Sequence, residues 1–308
     1  MKICGFVGTE FPDRKERLRV MVAAMRHASD LVDRSFCFLD GGLASLGRSP
    51  HAPCLIWNGD RSVCLALSGH VTGPDLDEAF VNTLRQSPLE TLRQLDGSYA
   101  FAMYDRTARS LVLAADRFGF VPLYYCHRGD SIVFASEVKA ILHVLHSRKL
   151  DWDSVADFFY VGHMLGNRTL FHDVHVLDPG EMIIHRRGES RHERYCDFTQ
   201  IEPLPREKVS TQQVASLFTR AVQKRARKDM RHTVLLSGGM DSRLVLGALK
   251  AARITPETIT LEHADEYEGA DGRLGCQVAE SLGLISELRP TRGQPRYLHR
   301  KTSSSCFY

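Results

Sequence analysis

The sequence predicts an α+β domain of antiparallel sheets between helices, followed by the start of an α/β domain built on a parallel sheet. Three observations predict it. Residues 99–135 alternate short apolar stretches with turns containing Asp and Gly, the pattern of successive hairpins. Residues 199–205 (Thr-Gln-Ile-Glu-Pro-Leu-Pro) carry two prolines and no apolar period, which marks a boundary. Beyond it, an apolar stretch from Val234 enters Gly238-Gly239 and then a helical period to about residue 252. That last pattern reads as strand, turn and helix.

In chain order, residues 2–7 read as a strand and 14–27 as a helix. Residues 62–68 form another strand, and 75–86 an amphipathic helix. Strands at 99–104, 110–115, 122–126 and 131–135 follow, with turns at 105–109 and 128–130. Helices are predicted at 138–146 and 153–160. Residues 174–186, centred on Pro179-Gly180, read as a hairpin. The second domain opens with a helix at 211–228 and continues past the Gly-Gly turn with a strand at 255–261 and a helix at 266–284. The domains are accordingly 1–198, a linker at 199–210, 211–290, and a polar tail at 291–308 that contains Ser303-Ser304-Ser305.

Composition bounds the function classes. A chain of 308 residues is long enough for two domains, each with its own core. Hydrophobic content of 43% and charged content of 25% are those of ordinary globular proteins. A net charge of +3 points to neither nucleic acid nor an anionic membrane as partner. No apolar run approaches the ~20 residues of a membrane span, and the apolar run at residues 3–7 is too short for a secretory signal. The expectation is a cytoplasmic protein. Eight cysteines contain no C-x-x-C pair, so a zinc site is not expected. Cys64 in Val63-Cys64-Leu65-Ala66-Leu67 reads as a reduced core residue, as do most of the others. Among the histidines, His70, His163, His172 and His175 read as solvated loop residues. Arg220, Lys224, Arg225, Arg227 and Lys228 form a basic helix end that suits the helix dipole.

The run Leu236-Ser237-Gly238-Gly239-Met240-Asp241-Ser242 carries the chemistry. Glycines let backbone amides approach an anion, and the following helix N-terminus offers free N–H groups with partial positive charge. Ser237 and Ser242 can donate hydroxyl hydrogen bonds to phosphate oxygens. Ionised Asp241 cannot, and suits Mg²⁺ or the loop backbone instead. No lysine follows the second glycine, which excludes the G-x-x-x-x-G-K-[ST] loop. The run resembles the SGGxDS pyrophosphate loop of the N-type ATP pyrophosphatases. That resemblance implies ATP and Mg²⁺ as cofactors, with Leu236, Ser237, Gly238, Gly239, Asp241 and Ser242 at the nucleotide and Asp241 as the candidate metal ligand. Arg243 stands where many of that group carry a second serine.

Further segments resemble one family. Leu95-Asp96-Gly97-Ser98-Tyr99-Ala100-Phe101-Ala102-Met103-Tyr104-Asp105 looks like the LDGxFAFxxYD stretch of asparagine synthetases. Residues 116–125, from Asp116-Arg117-Phe118-Gly119 to Pro122-Leu123-Tyr124-Tyr125, resemble their DRxGxxPLYY. Phe134-Ala135-Ser136-Glu137-Val138-Lys139-Ala140-Ile141 resembles FASExKAL, and Thr169-Leu170-Phe171 with Pro179-Gly180 resembles the later TLF…PPG. The chain is identified by these as similar to the glutamine-dependent asparagine synthetase family over residues 1–288. The resemblance implies an N-terminal-nucleophile-type sandwich of class II glutaminase kind, then an ATP pyrophosphatase domain. It implies ATP-dependent adenylation of a carboxylate, aspartate in the family, and amide formation with ammonia.

The glutaminase half departs from that pattern. The family's nucleophile is an N-terminal cysteine whose own amine acts as base; the matching residue, Cys4, follows Lys2 and Ile3. Met25-Arg26-His27 is followed by Ala28-Ser29-Asp30 in place of the Arg-Gly-Pro core of the family's MRHRGPD stretch. Ser68-Gly69-His70 stands where Asn-Gly-Glu would hold the glutamine amide. These departures predict a degenerate glutaminase with Cys4 as its candidate nucleophile. Two alternatives follow: a ring-closing relative of the β-lactam synthetase or lasso-peptide cyclase type, and a truncated non-catalytic subunit or scaffold. The expected partners are small molecules (ATP, a carboxylate, ammonia or glutamine) and a partner chain supplying the family's C-terminal half.

Overall fold

The computed structural model describes residues 1–48, 55–145, 148–226, 231–262 and 266–290. The polar tail at 291–308, Cys54, Cys306, Arg227 and Lys228 lie outside the described residues. The chain divides into two compact units, Met1–Ile201 and a second that begins at Glu202.

The first unit runs β1 (Lys2–Val7), α1 (Arg14–Met25), β2 (Val32–Cys37), β3 (Gly41–Gly47), β4 (Leu55–Trp57) and β5 (Val63–Thr72). It continues with α2 (Glu78–Gln86), α3 (Pro88–Gln94), β6 (Asp96–Asp105), β7 (Ser110–Ala115), β8 (Tyr124–Arg128) and β9 (Ser131–Ala135). It closes with α4 (Val138–Leu142), α5 (Trp152–Val161), β10 (His175–Val176), β11 (Glu181–Arg186) and β12 (Glu189–Arg194). Two six-stranded antiparallel sheets result, in the orders β10-β8-β9-β1-β3-β2 and β12-β11-β7-β6-β5-β4.

Period-2 alternation builds four layers from these strands. On β1, Ile3 and Val7 face the second sheet, where Ala66, Ala102, Tyr104, Leu113 and Ile183 meet them. Cys4 and Phe6 face the other way, against Leu18, Met21 and Met25 of α1 and Ile141 of α4. On the second sheet, Val63, Leu65 and Leu67 turn outward to Phe80, Val81 and Leu84 of α2 and Leu92 of α3. This is the antiparallel sandwich between helices that the sequence predicts. Gly5 makes one crossing point tight: a Cβ there would lie 2.4 Å from the Gly42 carbonyl oxygen and 2.7 Å from the Phe134 ring.

The motif segments brace this sandwich. The buried Asp116 carboxylate accepts from the backbone N–H of Tyr99 (3.1 Å), Phe118 (2.9 Å) and Val121 (3.3 Å). Its own carbonyl accepts from Gly119 (3.1 Å) and Gly180 (2.9 Å). Ser136 clamps the start of β1, its Oγ accepting from Ile3 N–H (2.9 Å) and its N–H donating to the Ile3 carbonyl (2.8 Å).

One local expectation is overturned. Residues 174–186 are not a hairpin, because β10 pairs with β8 in one sheet while β11 pairs with β7 and β12 in the other. Pro179-Gly180 is the crossing between sheets. The true hairpin joins β11 to β12 through Arg187-Gly188, both at positive φ (54° and 84°), as the right-handed twist of paired strands favours. Sequence pattern missed β12 because Glu-Ser-Arg-His-Glu-Arg has no apolar residue; it is an edge strand.

The second unit runs α6 (Thr211–Arg225), β13 (Thr233–Leu235), α7 (Met240–Ala251), β14 (Glu257–Glu262), α8 (Glu266–Ser281) and β15 (Ser286–Pro290). Its strands form a parallel sheet in the order β13-β14-β15. Val234, Leu236, Leu246, Leu249 and Ala279 make its core. Helix α6 starts with a capping box: Gln213 N–H donates to Ser210 Oγ (3.2 Å), and Ser210 N–H to Gln213 Oε1 (2.9 Å). Among the described residues, no helix is long and apolar enough to cross a membrane.

Candidate phosphate-binding site

Alternation along β13 places Val234 and Leu236 in the core and leaves Leu235 between them exposed. Leu236 N–H still donates to the Ile259 carbonyl (2.8 Å), so the sheet ladder holds the chain one residue beyond the strand. The chain then turns, and α7 begins at Met240 with Gly239 as its N-cap. In a parallel sheet this is the carboxyl end of a strand, where ligand crevices open.

Ser237 and Ser242 close the loop on itself. Their hydroxyls lie 3.2 Å apart, Ser237 N–H donates to Ser242 Oγ (3.2 Å), and Gly239 N–H donates to Ser237 Oγ (3.1 Å). Ser242 Oγ also lies 3.2 Å from the Ser237 carbonyl and 3.3 Å from that of Gly239. Gly239 provides no side-chain cap, so no side chain at the N-cap competes for the first-turn N–H groups of α7. The first-turn N–H groups of α7 therefore open from one helix end, an arrangement that suits an anion. Asp241 is exposed on that first turn. Arg243 folds back, its Nε donating to the Gly239 carbonyl (3.1 Å), which sets a cation beside the loop.

Gly275 was not visible as a site residue in the sequence. A Cβ on it would lie 2.9 Å from the Leu236 carbonyl oxygen and 3.1 Å from Thr260, so glycine lets α8 lie directly under the loop. Nothing in the local helical pattern of residues 266–281 signals this approach. Among the described residues, no group of three or more His, Cys, Asp or Glu side chains comes together to hold a metal ion. Asp241 is the single carboxylate of the loop, and a lone carboxylate is a mode that suits Mg²⁺ held also by a ligand's own oxygens.

Comparisons with known proteins match two domain families in this chain. A glutamine amidotransferase domain matches residues 72–196, and an asparagine synthase domain matches residues 213–294, the stretch that contains the loop. These two matches, in this order, are consistent with the asparagine synthetase family. It is similar to a putative glutamine-hydrolysing asparagine synthetase 2 of Methanocaldococcus jannaschii, with 26% identity over 184 residues, covering 58% of this chain and 36% of that one. Asparagine synthetase 1 of Bacillus subtilis is 25% identical over 224 residues, covering 71% and 35%. Amidase chry2 of Gibberella zeae is 26% identical over 226 residues, covering 67% and 33%. The chain spans about a third of the length of these relatives.

The amidotransferase half treats its candidate nucleophile differently from an active asparagine synthetase cysteine. Cys4 sits in mid-strand, paired with Ala44 and Ala135, with no exposed surface. Burial, and secondarily the Asp33 carboxylate, push its thiol far above the ordinary range. A nucleophilic thiolate needs the opposite surroundings. Cys4 thus has the surroundings of a buried core cysteine. Ser68, where the family pattern would bind the glutamine amide, is buried and donates to the Met1 carbonyl (2.6 Å). The Met1 carbonyl thus takes the one proton that the Ser68 hydroxyl can donate. Next to them, Glu137 gathers Lys2 (2.5 Å), Lys139 (3.0 Å) and His27 (2.9 Å). Burial opposes its ionisation, yet the hydrogen bonds from Lys2, Lys139 and His27 prevail and hold its carboxyl below the usual value.

Proposed function

We propose that the chain binds ATP at residues 236–242 and serves an amide-forming ligase that adenylates a carboxylate, with aspartate the first candidate. The observation that carries this reading is the doubly serine-closed loop at the carboxyl end of β13, inside the stretch matching the asparagine synthase domain. Ser237 and Ser242 hydroxyls and the first-turn amides of α7 would take the phosphate oxygens. Arg243 would add a cation where charge accumulates on the departing pyrophosphate. Asp241 would hold the Mg²⁺ that comes with ATP.

The buried thiol of Cys4 supports a finer proposal about nitrogen. The amine is free ammonia or an amine of the acyl substrate, as in a ring-closing relative, and not ammonia released from glutamine at Cys4. A partner segment completing the carboxylate side, and a cytoplasmic location, belong to the same proposal and rest on the family resemblance.

The test is exchange of labelled pyrophosphate into ATP in the presence of aspartate and other amino acids, paired with titration of Mg-ATP. Exchange and nucleotide affinity should fall by about a hundredfold in Asp241→Ala, the scale of losing a group that stabilises charge in the transition state. Equal binding by wild type and the variant would refute the assignment of this loop. Glutamate release from glutamine should be no greater in wild type than in Cys4→Ser; a clear excess would restore Cys4 as nucleophile.

A further inference from the structure

Four histidines from four strands line the seam where β8 and β10 of one sheet of the first unit face β11 and β12 of the other: His185 is buried and His175 half-buried, while His127 and His192 stand exposed at its mouth. The ring centre of His127 on β8 lies 6.5 Å from that of His185 on β11 and 6.3 Å from that of His192 on β12. Tyr125, two residues earlier on the same face of β8, lies 5.5 Å from His127, 5.7 Å from His175 on β10 and 5.8 Å from His192. Strand register explains the gathering. His175 stands opposite Tyr125, and His192 stands opposite Ile183, which itself points into the inter-sheet core. His185 follows Ile183 by two residues and so shares its face.

Few groups compensate charge there. His192 Nδ1 meets Glu181 Oε1 of β11 at 2.7 Å. His185 Nδ1 meets Ser190 Oγ of β12 at 2.8 Å, and the ring also bonds the backbone of Asp130 in the β8–β9 turn. His175 Nδ1 is a buried atom with no hydrogen-bond partner among the described residues. The remaining charged groups around the cluster are already engaged or sit at its rim. Asp178 pairs with Arg194 at the end of β12 (3.0 Å), and Asp173 pairs with His172 (2.9 Å). Asp173 and Asp151 act on His175 from its own side, and Asp130 acts on His185. Strand β9, the other neighbour of β8, presents Ser131, Ile132, Val133, Phe134 and Ala135, none of them charged. Tyr125 stays neutral, its hydroxyl pushed up to about 12 by burial, Glu181 and Asp178.

We propose that this seam is a proton-operated latch: neutral imidazoles let the β8–β10 edge close on the β11–β12 edge, and their protonation parts those edges while β5 and β6 stay packed. Supporting the geometry, burial holds His127, His175 and His185 below the ordinary imidazole value, and at His127 the other three histidines add to it. Such a group binds fewer protons folded than unfolded. Its contribution is therefore complete above the ordinary value of about 6.5 and is lost as pH falls through that value toward the folded one.

The experiment is amide hydrogen exchange of the full chain at about pH 7.5 and about pH 5, corrected for the intrinsic chemical rate. Each pH unit below the ordinary imidazole value should multiply opening of β8, β10, β11 and β12 by up to about tenfold per histidine charged. Opening of β5 and β6 should stay constant. In His127→Gln/His185→Gln the excess should shrink. An edge that responds to pH no more than β5 and β6, or a double variant that retains the whole excess, overturns the latch. Should the variant not fold, imidazole titration in the wild type decides: independent transitions near 6.5 at His127, His175 and His185 overturn it, and depressed, mutually dependent ones support it.

Discussion

The two units obey the same burial rules to different degrees. In the first, strands bury both faces, one against the opposite sheet and one against helices. In the second, α6 buries none of its residues, and Leu217, Leu235 and Ile285 are 59%, 68% and 81% exposed. The Ser237–Ser242 loop belongs to this second unit. The comparison teaches that the loop's shape is maintained locally, by two hydroxyls, a sheet bond to Ile259 and the close approach of Gly275. A deep core does not hold it. The first unit has its own exception in α5, whose Phe159 and Tyr160 lie almost fully in solvent.

The largest effect that tests this contrast is Phe134→Ala. Phe134 fills the inter-sheet core opposite Gly5 and is fully buried, so its loss should cost the first unit about 3–5 kcal/mol. Both tryptophans, Trp57 and Trp152, lie in that unit, so urea unfolding followed by tryptophan fluorescence reads it directly. A cost under about 1 kcal/mol would mean the sandwich is no better packed than the second unit. Next comes Ser210→Ala, which opens the capping box of a helix with no buried face. It should cost about 1 kcal/mol, seen as faster amide exchange across α6, and unchanged exchange would show that some other contact anchors the helix. The gentlest test leaves both folds intact. Alkylation of the native protein at about pH 8 should modify exposed Cys37 and spare Cys4, and urea should release Cys4 to react. Rapid native labelling of Cys4 would break the picture of a sealed first sheet.

Much of this was legible before folding. The boundaries of β1, β7 and β9 coincide with strands marked by alternation and turn residues. The glycine turn before α7 was visible for the same reason, since local chemistry limits what the backbone there can do. Strands β2 and β12 were not visible, because edge strands such as Val-Asp-Arg-Ser-Phe-Cys carry little apolar signal. Strand β3 is fully buried yet built of Gly, Ala, Ser and Leu, a composition that hides it.

By itself, the sequence determined the fold class (a sandwich between helices, then a parallel sheet), the resemblance to asparagine synthetases, and the glycine turn that leads into α7. Each rests on residues close together in the chain, where period and turn chemistry act. Only the tertiary structure decided that Cys4 is sealed under α1, that β10 and β11 join different sheets, and that Gly275 supports the loop. It also brought together His127, His175, His185 and His192, which the sequence presents as unrelated residues. Those outcomes depend on which faces become dry and which distant strands become neighbours, and burial of this kind belongs to the packed chain as a whole.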